Sequence, residues 1–333
     1  MNKRKSRPAL QDVANAVGVT KMTISRYLRD SSAVSVDLQS KIRKALDDIG
    51  YIPNKAPGIL SNSKSYSIGV LVPSLTNQVF SEVIRGIENI LEPSGYQMMF
   101  AHYAYSIHSE EDRIRTLLSY NVDGLILSES THTDQVRKMI DTAGIPVVEI
   151  MDSVSEPISQ AIGFDNQAAS AAMTQRMIDK GYSQIIYLAA RMDVRTKQKL
   201  KGFEQTMVAN GLLPTSVQTE DASSFSLGSE LLKKALLEFP DLDGIVCTND
   251  DLAIGALFEC QRQKIRVPGE IAITGFHGHN IAREVVPRIA TVYTPREKMG
   301  EIAASELLDR LNNVPIEKKI FNLEYVVDDG ETI

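Results

Sequence analysis

The sequence predicts a small all-α helix-turn-helix head followed by a two-lobed α/β body built on parallel sheets. Three observations carry that expectation. Near the N-terminus, two short apolar stripes at helical spacing flank a glycine. The charge is polarised: residues 1–62 hold 11 Lys/Arg against 5 Asp/Glu, and the remainder holds 25 against 37, beneath a net charge of -6. From residue 67 onward, short continuous apolar runs alternate with amphipathic stretches, and the alternation restarts near residue 183.

In the head, Leu10, Val13, Ala14 and Val17 fall at i, i+3, i+4 and i+7, one face of a helix. Gly18 stops it, because glycine takes a left-handed conformation at low cost. Thr20 is a good N-cap for a second helix carrying Ile24 and Leu28. Ser35 caps a third, with Leu38, Ile42, Ala45, Leu46 and Ile49 on one face and Gly50 at its end. The expected core is Leu10, Val13, Val17, Ile24, Leu28, Ile42, Leu46 and Ile49. Two short helices around a glycine turn let the second enter a DNA major groove. The same stripes also fit an ordinary αα-hairpin, and a tail, MNKRKSR, supplies four of the basic residues.

The body opens with SIGVLVPSL, a near-continuous apolar strand, then a helix from about Gln78 to Leu91. QMMFAH, DGLILS and IPVVEIM are further strands, separated by helices through RIRTLLSY and VRKMIDTAG. The second round runs SQIIYLAA, QKLKGFEQTMVANG, SVQTE, LGSELLKKALLEF, DGIVCTND, LAIGALFECQRQK and IAITGF. EKMGEIAASELLDRL is an amphipathic helix, with one last strand expected near IFNLEYVV. Two lobes imply a cleft for a small ligand. Polar residues at the C-terminal ends of the strands should line it.

Composition is that of an ordinary globular chain, 43% hydrophobic and 23% charged. Cys247 and Cys260 stand in apolar surroundings without a CxxC or His/Cys cluster, so buried thiols are expected, and no metal or cofactor. No apolar run reaches the roughly 18 residues of a membrane span, and no apolar segment follows the basic start. The expectation is a cytoplasmic protein without a membrane partner, associated with the nucleoid when on DNA. No GxGxxG opens a helix after the first strand, and neither GxxxxGK[ST] nor GxSxG occurs. No catalytic residue is assigned, and no enzyme activity is expected. A transport-type binding protein fits the body but not the basic head.

LQDVANAVGVTKMTISRYL, followed by GYIPNKAP, resembles the DNA-binding head of the LacI/GalR family of bacterial regulators. The resemblance continues in VPSLTNQVFSEVIRGIE, DGLIL, GIPVV, IGFDN, CTNDDLAIGA and RVPGEIAITGF. It implies the fold of periplasmic sugar-binding proteins, in which the chain crosses between lobes three times. The boundaries expected are a DNA-binding domain over 1–54, a hinge over 55–66, and an effector-binding and dimerisation body over 67–333. The resemblance implies phosphate contacts from Thr20, Thr23, Ser25, Ser35, Tyr51 and Asn54, which fix register. Lys21, Met22 and Arg26 would face base edges. Lys21 and Arg26 are donors suited to guanine, and Met22 offers apolar contact alone. Leu60 matches the residue that wedges into the minor groove. Gly58 departs from the alanines common there and costs about 1 kcal/mol of helix propensity.

The expected effector residues are Leu75, Asn77, Gln78, Asp152, Arg195, Lys199, Asn249, Asp250 and His277. Asn249 offers donors and acceptors to hydroxyl groups. Asp250 either accepts from hydroxyls or caps the following helix, and Asp165 and Asn166 read as a cap. His277, in FHGHN, stands where sugar-binding relatives carry Asp. An imidazole there removes repulsion against an anion and adds a donor. Arg191, Arg195, Lys197, Lys199 and Lys201 follow SQIIYLAA. Arg195 and Lys199 suit a carboxylate, although such a run also reads as a solvated helix start. A sugar acid follows as the ligand class. FHGHN, CTNDDLAIGALFECQR, PSLTNQVFSEVIRGIE and YIPNKAPGILSN further resemble the gluconate and idonate utilisation repressors of this family, and that resemblance singles out gluconate. The function implied is a homodimeric repressor of gluconate uptake and catabolism genes, bound to palindromic double-stranded operator DNA and released by a sugar acid. Another sugar, a sugar phosphate, idonate or a co-repressor is the alternative effector.

Overall fold

A computed structural model of the 333-residue chain describes residues 7–54, 64–153 and 156–333. The chain divides into two compact units, Met1–Ser65 and Tyr66–Ile333. Leu60, with most of the expected hinge, lies outside the described residues.

Among the described residues the head has three α-helices, α1 (Leu10–Val17), α2 (Lys21–Arg29) and α3 (Val36–Ile49). Gly18 ends α1 at φ 77°, and Gly50 ends α3 at φ 66°. Thr20 caps α2, its hydroxyl accepting the Thr23 N–H at 3.2 Å. Ser35 holds the N-cap position of α3, but its side chain makes no cap bond, so its part there is conformational. Val13, Ala14, Ile24, Tyr27, Ile42 and Ala45 form the buried core. Leu28 does not join them; it is 36% exposed. Ile24 and Tyr27, three apart, take the inner face of α2, and the phenol ring fills space that the sequence reading gave to Leu28.

The body begins with β1 (Ser67–Val72), α4 (Val79–Leu91), β2 (Gln97–His102), α5 (Ile107–Ser119), β3 (Gly124–Leu127), α6 (Asp134–Ala143), β4 (Val147–Ile150) and β5 (Gln160–Gly163). The second lobe holds α7 (Asn166–Asp179), β6 (Ile185–Ala190), α8 (Val194–Ala209), β7 (Thr215–Thr219), α9 (Phe225–Glu238), β8 (Gly244–Cys247), α10 (Asp250–Gln263), β9 (Ala272–His277), α11 (Asn280–Glu284) and β10 (Ala290–Tyr293). α12 (Arg296–Leu311) returns to the first lobe and packs along α4. Then β11 (Ile320–Asn322) and β12 (Val326–Asp328) finish one sheet each.

The first sheet runs β11-β5-β4-β3-β1-β2 and the second β12-β10-β9-β8-β6-β7. Every pair is parallel except β12, which lies antiparallel to β10 at an edge. The chain therefore crosses between lobes after β5, after β10 and after β11. The single strand expected near IFNLEYVV is thus two, because the third crossing cuts it. β5 and β10 were not expected from the sequence, and of α7 only the cap at Asp165 and Asn166 was. β5 is only four residues, and α7 buries small side chains such as Ala169 and Ser170 in place of a leucine stripe. Cys247 and Cys260 are buried and unbridged. Among the described residues no helix is long and apolar enough to cross a membrane.

Candidate functional site

The α/β topology gathers the C-terminal ends of both sheets around a cleft of about 490 Å³, its open mouth included. The first lobe contributes Asn77, Val79 and Phe80 after β1, Tyr105 after β2 and Met151 after β4. The second contributes Arg191, Asp193, Arg195, Thr196 and Lys199 after β6, Ser223 after β7, Thr248 and Asn249 after β8, and His277 at the end of β9.

The basic run after β6 is sorted by helix geometry. Arg195 and Lys199, four apart on α8, face the cleft, whereas Lys197 and Lys201 are exposed. Asp193 caps α8 by accepting the Thr196 N–H at 2.8 Å. Arg195 reaches the first lobe, donating to the Ser128 carbonyl at 2.6 Å and pairing with Glu129 at 3.3 Å. Tyr103 donates to the same Glu129 carboxylate. Burial works against the Arg195 charge, but Glu129 and Asp193 outweigh it and hold the guanidinium charged. Arg191 lies 3.8 Å above the Tyr105 ring, a cation–π contact.

Lys199 is 4% exposed. Its amine donates to the Thr248 carbonyl at 3.1 Å, stands 3.0 Å from His277 Nε2, and lies 4.0 Å from the Phe276 ring centre. Burial pulls its pKa down to about 7. Burial and the neighbouring Lys199 hold His277 well below the ordinary imidazole value, so it is neutral. His277 sits at φ 101°, a left-handed conformation rare for a side chain with a Cβ. Its carbonyl accepts from buried Arg296, whose guanidinium also pairs with Glu82 of α4 at 2.9 Å. Phe276 stacks on Phe164, centroids 6.2 Å apart, beside the first crossing.

Two amides are oriented by their neighbours. Asn77 donates to the Tyr105 hydroxyl at 3.0 Å and accepts from the Val79 N–H at 3.1 Å. Asn249 donates to Ser223 at 2.7 Å and caps α10 through the Leu252 N–H at 3.1 Å.

Of the nine expected effector residues, Asn77, Arg195, Lys199, Asn249 and His277 line the cleft. Leu75, Gln78, Asp152 and Asp250 do not. Leu75 is 62% exposed, and Gln78 is exposed at the start of α4. Asp152 is buried, taking bonds from Ser130 at 3.2 Å and Gln198 at 3.0 Å. Asp250 is fully buried beneath β9, accepting the Thr291 hydroxyl and the His279 N–H, each at 2.6 Å. It is neither a cleft residue nor the cap of α10, which is Asn249. Asp165 does cap α7, accepting from the Ala168 N–H at 2.9 Å. Tyr105, Arg191, Asp193, Thr196 and Ser223 were not among the expected effector residues. Arg191 was visible in the basic run, and the others carry no local signal.

On the head, Lys21, Met22, Ser25 and Arg26 stand on the exposed face of α2, Met22 being 71% exposed. Thr20 and Ser35 mark the exposed starts of α2 and α3, and the Thr20 and Thr23 hydroxyls lie 3.0 Å apart. Tyr51 is half-buried and Asn54 exposed.

Residues 9–54 match the family model of bacterial regulatory proteins of the lacI family, and residues 65–319 match that of periplasmic binding proteins and the sugar binding domain of the LacI family. The chain is 54% identical over 330 residues to the HTH-type transcriptional regulator GntR of Escherichia coli K12, covering 99% of this chain and 100% of that one. It is 42% identical to the HTH-type transcriptional regulator IdnR of the same strain, again over 99% and 100%. A crystal structure of a LacI-family transcriptional regulator from Silicibacter pomeroyi superposes with a TM-score of 0.91 at 32% identity, covering 98% and 99%. A helix-turn-helix head and a two-lobed body open at the strand ends together place this chain in the LacI family of bacterial regulatory proteins.

Proposed function

We propose that this chain is a homodimeric repressor of gluconate uptake and catabolism genes, released from a palindromic operator by the sugar acid. The observation that carries the ligand class is the charge of the cleft. Arg191, Arg195 and Lys199 line it against one carboxylate, Asp193, which is committed to capping α8. Because Arg195 is balanced by Glu129, the Arg191 guanidinium and the Lys199 amine are the groups left for a ligand carboxylate, and Asn77 and Asn249 present fixed amides to hydroxyl groups. The identities to GntR and IdnR support a sugar acid, and the second makes idonate the competing ligand.

On the head, Lys21, Met22 and Arg26 read base edges from the exposed face of α2. Thr20, Thr23, Ser25, Ser35, Tyr51 and Asn54 hold phosphates, and Leu60 wedges into the minor groove. One short helix reads few base pairs, so two heads on a two-fold operator are needed. The domains are 1–54, 55–66 and 67–333. The chain catalyses nothing and works in the cytoplasm, where its DNA is. The test is fluorescence anisotropy of a selected palindromic operator, titrated with gluconate, idonate, galactonate, glucose and their phosphates. Release by gluconate at lower concentration than by the others is expected; release by glucose alone would remove the sugar-acid assignment. Arg26→Ala should cut discrimination against operators altered at its base pair by about 1–3 kcal/mol, with gluconate binding intact by calorimetry.

A further inference from the structure

Inside the cleft wall an amine and an imidazole face each other with no carboxylate bonded to either. Lys199 Nζ is 3.0 Å from His277 Nε2 and 3.1 Å from the Thr248 carbonyl. His277 Nδ1 has the Thr294 hydroxyl, at 3.4 Å. Of the charged groups around them, Arg191 lies over the Tyr105 ring, and the others are engaged elsewhere. On α8 itself, Asp193 caps the helix and Arg195 pairs with Glu129. Asp250 of α10 is taken by Thr291 and the His279 N–H. Arg296 of α12 pairs with Glu82, and His279, after β9, faces Asp251 at 3.6 Å. The cleft residues from the first lobe, such as Asn77, Tyr105 and Met151, are uncharged.

We propose that an acid ligand enters this cleft together with one proton from solvent, which settles on the Lys199–His277 pair. The inference rests on the sugar-acid reading and adds how the site is charged for it. The pair accommodates both protonation states without moving. With the amine neutral, Nε2–H donates to its lone pair; with the amine charged, the ammonium donates to Nε2 and to Thr248, and the imidazole proton shifts to Nδ1. Burial leaves the amine at about 7, so it is mostly neutral in mildly alkaline solution. A carboxylate beside it favours the charged form. A buried point charge is thereby made only when its partner arrives, and a neutral sugar gains nothing from it. Above neutrality the affinity for the acid then falls by about tenfold per pH unit, until the ligand-bound amine itself loses its proton.

The full chain is titrated with gluconate by calorimetry at about pH 8 in HEPES and in Tris, whose ionisation heats differ. Heats that differ by the amount for nearly one proton taken up are expected, with Kd rising about tenfold over the next pH unit. Binding with a buffer-independent heat overturns the proton uptake and leaves the sugar-acid reading standing. No binding heat in any buffer overturns both. A second measurement does not depend on binding. In lysine-13Cε-labelled protein, the resonance missing from Lys199→Arg should titrate near neutrality and move to higher pH with gluconate. Titration in the ordinary lysine range in the free protein overturns the proposal.

Discussion

A lysine amine buried without a carboxylate is destabilising, since desolvation is not repaid by a counter-charge. Lys199 is in that state. Its proposed role in ligand capture is therefore separable from any role in folding. Lys199→Met keeps the bulk and removes the charge. It should leave operator affinity and the urea midpoint unchanged or improved. The gluconate needed for release should rise at least tenfold, because a charge-assisted hydrogen bond is worth about 1.5–3 kcal/mol. Operator anisotropy and a urea melt read the two halves of this expectation.

His132 is the opposite case, a buried charge with partners. Its ring nitrogens lie 3.0 Å from Glu110 and 3.3 Å from Glu149, both buried carboxylates. Burial opposes the charge, but the two carboxylates lift the His132 pKa to about 9. The folded value lies above the unfolded one, so the stabilisation is complete at pH below about 6.5 and is lost as pH rises through about 9. On the order of 3 kcal/mol is at stake. Lys199, with its depressed pKa, contributes the opposite slope over an overlapping range. The test is therefore the difference between wild type and His132→Gln. The stability gap should shrink between pH 7 and about 9.5 in urea melts; a gap independent of pH would mean that His132 is neutral.

At the scale of elements, the helix pairs of the body cross through glycines. A Cβ on Gly86 of α4 would meet the Glu297 carbonyl of α12 at 2.0 Å, and one on Gly300 would meet Val83 O at 2.1 Å. Gly202 of α8 likewise touches Gln167 of α7, and Gly255 of α10 touches Phe225 of α9. Gly86→Ala must push α4 from α12, at about 1–3 kcal/mol or more. α4 leads from the cleft residues Asn77 and Phe80, so the same variant should also weaken gluconate binding. An unchanged urea midpoint would show that the two helices separate without cost.

What the sequence disclosed follows the range of the interaction. Gly18 and Thr20 were legible because a left-handed turn and a hydroxyl cap act within three residues. Arg195 and Lys199 were legible from the basic run after SQIIYLAA and the family resemblance there, and their spacing of four on α8 puts them on one face. Leu28 misled because periodicity at i+4 and i+3 is equally good, and only the packing of the head core decides for Tyr27. Asp250 misled because it follows the true cap, Asn249, and its carboxylate is claimed by Thr291, 41 residues on. Tyr105 and Ser223 were invisible for the same reason. Their partners Asn77 and Asn249 lie 28 and 26 residues away, and only the sheet order brings them together.

At the scale of the molecule, the cleft and the first two crossings form one connected structure. Arg296 bonds the His277 and Gly278 carbonyls on the second lobe and Glu82 on the first. Phe276 and Phe164 stack where the chain first changes lobes. A ligand held, as proposed, between Lys199 and Asn77 would therefore favour one arrangement of the lobes over another. It acts on operator affinity only through that difference. Coupling of this kind typically amounts to about 1–3 kcal/mol and is reciprocal, so operator DNA must weaken gluconate binding by the factor by which gluconate weakens operator binding.

The most direct test is the gluconate dissociation constant of the full chain, measured by calorimetry with and without saturating operator duplex. The account predicts weaker gluconate binding on the operator, by about five- to 150-fold and equal to the loss of operator affinity caused by saturating gluconate. Equal gluconate affinity in the two measurements would contradict it.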